Sequence, residues 1–294
     1  MKAKIIIITI VLALVYALSA YFGFQTYQSS KAYLSVENEH IDQQIYKSRL
    51  LSPKEWFPKI SPRQDVSKKT SRLESESAFH KKTLERNAFF ASISMLAFLV
   101  LALFFVKFFK LRPEYNILIV SLGSFLLLII GLVSPLLEIW AYEENLTIPV
   151  NIPLFRDKVF YGKMYFYYQN KSILSLIGFL FNSKNWIVAI PILIASVILP
   201  LVKLTLITLI SVFKISKNWI ESFLAIISPW SMLDIFTVSI LLAFLGLSDM
   251  NMGVETKTLI GPGFWFFLAY CVLSIMNFHW YKTKFSNQTQ LLRN

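Results

Sequence analysis

Ser228-Pro229-Trp230-Ser231-Met232-Leu233-Asp234-Ile235-Phe236 opens an apolar segment that continues through Leu241, Leu242, Ala243, Phe244 and Leu245. A run of that length and character reads as a membrane-spanning helix, and this one carries a carboxylate. An ionisable group inside a bilayer costs about 2.5 to 3.5 kcal/mol on insertion scales, so Asp234 is a candidate functional residue from the outset. The rest of the chain has the same character: 55% of the residues are hydrophobic and 26 are phenylalanine, which places it among integral membrane proteins. The formal charge of +12 then belongs to segments flanking the spans, where Lys and Arg set topology and meet anionic headgroups, and nucleic acid is excluded as a partner. Cys271 is the single cysteine, which excludes a disulfide framework within the chain and a cysteine-based metal centre.

A helix needs about 20 apolar residues to cross a bilayer. Segments that meet this run near Ile5 to Phe24, Ala88 to Phe109, Asn116 to Trp140, Trp186 to Phe213, Trp230 to Leu247 and Gly263 to Trp280. The expected architecture is an all-α polytopic membrane protein: an N-terminal anchor helix plus a transmembrane helical bundle, with a small extramembrane β element in the loop near 150–170. Ala17-Leu18-Ser19-Ala20 also fits a signal-peptidase site, but apolar residues continue past it to Phe24, which favours an uncleaved anchor. The predicted divisions are an anchor over 1–25, a polar charged outside segment over 26–87, a transmembrane domain over 88–284 and a tail over 285–294.

Orientation follows from the basic residues in short connections. Lys107, Lys110 and Arg112, then Lys214 and Lys217, then Lys282, Lys284 and Arg293 all fall on one side if both termini are cytoplasmic. The segment from Gln25 to Asn87 and the loop from Ala141 to Lys184 then lie outside. The first of these is polar, mixed in charge and broken by Pro53, Pro58 and Pro62, which predicts a solvated spacer whose second half, Ser67 to Arg86, extends the following span as a charged helix. In the second, Val159 to Tyr168 is aromatic and strand-favouring with Gly162 at a turn or bulge, and Ile173 to Phe181 suits a helix lying at the membrane surface.

Lys203, in Leu199-Pro200-Leu201-Val202-Lys203-Leu204, is the deep basic residue. At about 1.5 Å per residue it lies roughly 15 Å above the inner boundary and Asp234 roughly 6 Å above it. Helical side chains lean toward their own amino terminus, which separates the two further, so a polar patch with Thr205, Thr237, Ser239, Ser121 and Ser124 is expected in place of a direct ion pair. Asp234 has a purely structural reading as well, because Ser228-Pro229 is a sufficient helix start near interfacial water. Lys203 resists that reading, since its depth makes snorkelling awkward and Pro200 exposes a carbonyl nearby. His40, His80 and His279 show no metal-ligand spacing, no phosphate loop or serine elbow is present, and neither enzyme activity nor a metal or other cofactor is expected.

Pro200-Leu201-Val202-Lys203-Leu204, Trp230-Ser231-Met232-Leu233-Asp234-Ile235-Phe236 and Gly261-Pro262-Gly263 together resemble the paraquat-inducible protein A (PqiA) family of bacterial inner-membrane proteins, over roughly Ala88 to Lys284. The resemblance implies a four-helix transmembrane domain that moves phospholipid or a similar amphipathic molecule between membranes with a mammalian-cell-entry (MCE) type partner. It further implies that Pro200, Lys203, Trp230 and Asp234, with Thr205 and Thr237, line a polar cavity for lipid headgroups. The competing expectation is a non-transporting scaffold or assembly factor. This chain departs from well-known members in having one such domain and no Cys-x-x-Cys ribbons, and a homo-oligomer would recreate the doubled domain.

Overall fold

The computed structural model describes residues 2–56, 63–109, 114–149, 158–213 and 254–291, with Ser222-Phe223-Leu224, Ile226 and Ser239. Helix α1 spans Lys2–Gln44; the short helices α2 (Tyr46–Leu50) and α3 (Pro53–Trp56) lead to α4, Arg63–Phe108, which runs back along α1. Their partners fall in antiparallel register. Tyr16 packs on Phe98 with ring centroids 5.1 Å apart, Phe22 on Phe90 at 5.5 Å, and further out Asn87 Nδ2 donates to Ser29 Oγ at 2.7 Å, Ser77 Oγ donates to Glu37, and Lys69 Nζ lies 3.4 Å from Glu39. One hairpin is therefore greasy at its base and polar at its tip.

Further elements among the described residues are the helices α5 (Glu114–Val133), α6 (Ile173–Asn182), α7 (Trp186–Leu193), α8 (Leu199–Phe213) and α9 (Pro262–Leu291) and the strands β1 (Leu137–Ile148), β2 (Lys158–Lys171) and β3 (Glu255–Ile260). Among the described residues, five helical stretches are long and apolar enough to cross a membrane: Thr9–Gln44, Lys69–Phe108, Tyr115–Val133, Trp186–Ser211 and Pro262–Trp280. This is an all-α polytopic membrane protein with a small sheet. The expected span from Trp230 to Leu247 lies outside the described residues apart from Ser239. Phe89, Ile93, Leu96, Val100, Phe104 and Phe108 stay exposed along α4, a stripe that a bilayer, not water, accommodates.

The structure differs from the sequence expectation in three places. First, α1 passes unbroken through the division at 25/26, whereas α4 runs through 87/88 as expected of a charged helix over Ser67 to Arg86 that extends the second span. At about 1.5 Å per residue, α1 continues roughly 30 Å beyond Phe24. Second, the outside segment is a folded arm, not a solvated spacer. Its helices bury Glu37, His40 and Ser77 against each other, and Ile41 packs with Tyr142 and Tyr165 of the sheet. Arg49 fastens the far end, with Nη1 and Nη2 donating to the Lys163 and Tyr161 carbonyls at 3.1 and 3.0 Å and Nε 3.0 Å from Glu55. Third, the span expected to end at Trp140 ends at Val133. Pro135 disfavours helix at the residue before it, and the chain enters β1, which carries Trp140 into the sheet.

The sheet has the order β2-β1-β3 and is antiparallel throughout. The β element near 150–170 is thus present, and β3 joins it through distant pairings with β1, such as Ile139 with Thr258. Gly162 has φ +86° opposite the bulge at Asn145, which itself has φ +57° and accepts from Gly162 N at 3.0 Å. Asn145 therefore has a backbone role. Ser172 caps α6 by accepting from Ser175 N at 3.2 Å; Ile173 and Ile177 face inward while Leu174 and Phe179 are exposed, as a surface-lying helix requires.

Candidate functional site

Lys203 is 4% exposed in the middle of the membrane bundle, on α8. The approach to it is irregular. Pro191 lies inside α7, and Ile194–Ile198 forms a π-helical turn in which Leu199 N donates to Ile194 O. Pro200 has no N–H to continue the ladder, so a widened turn ends where the lysine's own turn begins. Such single π-turns concentrate at functional sites because they displace carbonyls from the regular ladder.

Among the described residues, the helix that carries the lysine packs against α5 and α9. Lys203 Nζ lies 5.4 Å from the centroid of Phe278 on α9, and the neighbouring Asn277, fully buried, donates from Nδ2 to Ser121 Oγ of α5 at 2.7 Å. Antiparallel packing of α5 and α9 is fixed at one end by Gly131 against Phe267 and at the other by this Ser121 contact, which sets Ser124 level with Ser274. Ser124 Oγ and Asn277 Oδ1 are buried and hydrogen-bond to nothing among the described residues. A buried polar atom with unused capacity in an apolar bundle stands ready for a polar ligand group.

Pro200 is buried three residues before Lys203 on α8. Thr205 is not brought to this cluster: the residue is exposed and its hydroxyl donates to Leu201 O at 2.7 Å within α8. A threonine bonded to its own helix has its donor already committed. Asp234, Trp230 and Thr237 lie outside the described residues. Ser121 and Ser124 are in the cluster, while Asn277 and Ser274 were not legible from spacing because single amides and hydroxyls are common in membrane helices.

A second polar centre, missed by sequence reasoning, lies at the base of the sheet. Glu138 of β1 is 5% exposed and accepts at Oε1 from Tyr33 Oη at 2.5 Å and Tyr168 Oη at 3.0 Å, while Lys81 Nζ of α4 lies 3.7 Å from Oε2. Lys81 also lies over the rings of Trp140 at 5.3 Å and Tyr33 at 5.9 Å. One carboxylate thus ties both hairpin helices to the sheet. The available signal was a carboxylate three residues after Pro135, where helix was expected to continue.

Burial raises the Glu138 carboxyl above its ordinary 4.5 and outweighs the hydrogen bonds and the Lys81 charge, which pull it down. Burial, with Glu138 adding to it, pushes the Tyr33 and Tyr168 hydroxyls up, so both remain donors. A carboxyl raised on folding binds its proton more tightly in the native state, so its contribution to stability is present below 4.5 and is lost as pH climbs through the raised value. Thermal unfolding should therefore show stability falling with rising pH across that window, and Glu138→Gln should flatten the slope; an unchanged slope would assign it to other groups.

Among the described residues there is no group of three or more His, Cys, Asp and Glu side chains placed to hold a metal ion. Comparison with curated proteins and with solved structures finds no match. The family model described as Paraquat-inducible protein A matches residues 159–286, from within β2 to within α9. The matched segment contains Pro200, Lys203, the Trp230 to Phe236 run and Gly261-Pro262-Gly263, and it is shorter than the resemblance from Ala88, leaving the hairpin, α5 and β1 outside. Over residues 159–286 the chain is thus similar to the paraquat-inducible protein A family.

Proposed function

We propose that this multi-pass protein is an inner-membrane subunit of an intermembrane lipid transport system, handling phospholipid or a similar amphipathic molecule together with an MCE-type partner. The observation that carries the reading is Lys203, 4% exposed in the bundle with its Nζ 5.4 Å from the ring of Phe278, which adjoins in sequence the buried Asn277 bonded to Ser121. An amphipathic substrate needs a greasy path with a few fixed polar contacts, and a buried ammonium is suited to a phosphate. Both termini are cytoplasmic on this reading, which sets the arm and sheet in the periplasm, facing the partner. The chain holds no nucleotide-binding motif, so energy for active transport comes from another protein or an ion gradient.

The test is gentle purification followed by mass spectrometry of bound lipid and co-purifying protein. Stoichiometric phospholipid together with an MCE-domain protein is the expected result; a lipid-free preparation with full partner binding would turn the reading toward the scaffold. The scaffold alternative is favoured by the arm, whose exposed Phe79, Tyr161 and Tyr167 suit partner contact. Deleting Ser29 to Thr83 is not a clean test of it. That deletion removes Tyr33 and Lys81 from the buried Glu138 and so destabilises the sheet it is meant to spare.

A further inference from the structure

A cleft of about 390 Å³ lies between the hairpin and the base of the sheet, within the ~300–1,000 Å³ typical of small-molecule sites. Its lining changes character along its length. Phe89 of α4, Leu259 of β3 and Trp265 of α9 form the apolar part and are 61%, 46% and 59% exposed, so the cleft is open sideways where the helices leave the membrane. Lys81, Glu85 and Glu138 line the polar part. Lys81 and Glu85 are one helical turn apart on α4 and so share a face.

The charges differ in what they have left to offer. Glu138 is already held by Tyr33, Tyr168 and Lys81. The Lys81 ammonium has three donors and its side chain is 32% exposed, so one ion pair at 3.7 Å leaves donors for a ligand. Glu85 is exposed at the mouth. A ligand that satisfies both must carry an anion and a cation about one helical turn apart, with a hydrophobic body below.

The geometry points to this cleft as a binding site for a zwitterionic phospholipid, taken from the leaflet on the sheet side. The phosphate meets Lys81, the headgroup ammonium meets Glu85, and the acyl chains run past Phe89 and Trp265 into the bilayer. Phosphatidylglycerol would bring the same phosphate to Lys81 but a neutral headgroup with no cation to meet Glu85. The site sits outside the Lys203 cluster and uses the hairpin, which the family match does not include. It deepens the lipid-handling reading by naming the substrate class, yet it stands on the cleft alone.

The experiment places a benzophenone amino acid at Phe89, or as a control at Phe104, in the full chain in nanodiscs of equimolar phosphatidylethanolamine and phosphatidylglycerol. Phe104 is 58% exposed on the same helix and reports surrounding lipid. Light should attach mainly phosphatidylethanolamine at position 89 and both lipids in proportion at 104. Lys81→Ala and, independently, Glu85→Gln should each lower phosphatidylethanolamine attachment at 89 roughly tenfold and leave 104 unchanged. Glu85 makes no buried contact, so its substitution spares the fold even where Lys81→Ala does not. Equal attachment of both lipids at 89, or no response to Glu85→Gln, overturns the site. The assay needs no transport, so a failed cleft with intact transfer, and an occupied cleft with no transfer, separate this inference from the transport reading.

Discussion

Lys203→Met is expected to stop lipid transfer while leaving the protein folded, with its thermal midpoint unchanged or raised. The lysine is 4% exposed within a membrane bundle, where an ionised side chain costs about 2.5 to 3.5 kcal/mol at the helix centre. Methionine keeps the length and flexibility of the stem and removes that cost, so stability should not fall. A charge-assisted contact to phosphate contributes about 1.5 to 3 kcal/mol, so transfer measured with a labelled phospholipid in the complete system should drop tenfold or more. Lys203→Ala makes the same functional prediction but also opens a cavity beside Phe278, which is why methionine separates chemistry from packing more cleanly. Full transfer by the methionine variant, with the variant present at normal level, would remove Lys203 from the substrate path. Asn277→Leu provides the companion measurement, since it deletes the amide that bonds Ser121 and leaves the ammonium in place.

The largest loss of stability is expected from Gly261→Ala and Gly263→Ala. A Cβ at Gly261 would lie 2.3 Å from Pro135 O, and one at Gly263 would lie 2.4 Å from Ser134 O and 2.7 Å from Pro135 O. These obstacles are main-chain carbonyls, which cannot swing away as a flexible side chain can. The same junction is closed by Gly261 N donating to Leu136 O at 2.9 Å and Gly263 N donating to Pro135 O at 2.8 Å. Opening it therefore loses hydrogen bonds worth about 1 kcal/mol each in addition to an overpacking cost of about 1–3 kcal/mol. Each variant should lower the midpoint in a detergent thermal-shift measurement by several degrees or fail to yield monodisperse protein. Gly178→Ala is the internal control: nothing lies within 4 Å of its Cβ in α6, and alanine should stabilise that helix by about 1 kcal/mol. Equal behaviour of Gly178→Ala and Gly263→Ala would refute the close-approach argument.

Gly261-Pro262-Gly263 illustrates how far a motif can be read before the fold is known. In the chain it is a family signature ahead of the last span. In the structure it is the turn from β3 into α9, pressed against the turn from α5 into β1, and both glycines are there because two backbones touch. The helical spans were legible for a simpler reason. A segment that must satisfy its backbone in hydrocarbon has to be helical and apolar over its length, so Trp186 to Phe213 announces itself from hydropathy alone. The outer arm was not legible, because Glu37, Ser77 and Glu138 are ordinary surface residues until a partner buries them.

Short windows of the chain suffice to show that it crosses the membrane several times, that Lys203 lies in the family-like segment, and that aromatic strand-forming residues follow Tyr142. Those properties are local: they depend on the length, polarity and periodicity of short windows. Only packing brought β3 to β1, joined Glu138 to Tyr33, Tyr168 and Lys81 from distant elements, and turned Asn277 toward Ser121. Each of these is a pairing across long separations in the chain. A pairing of that kind is set by which faces meet when helices and strands pack, and a single window of sequence holds no record of the opposite face.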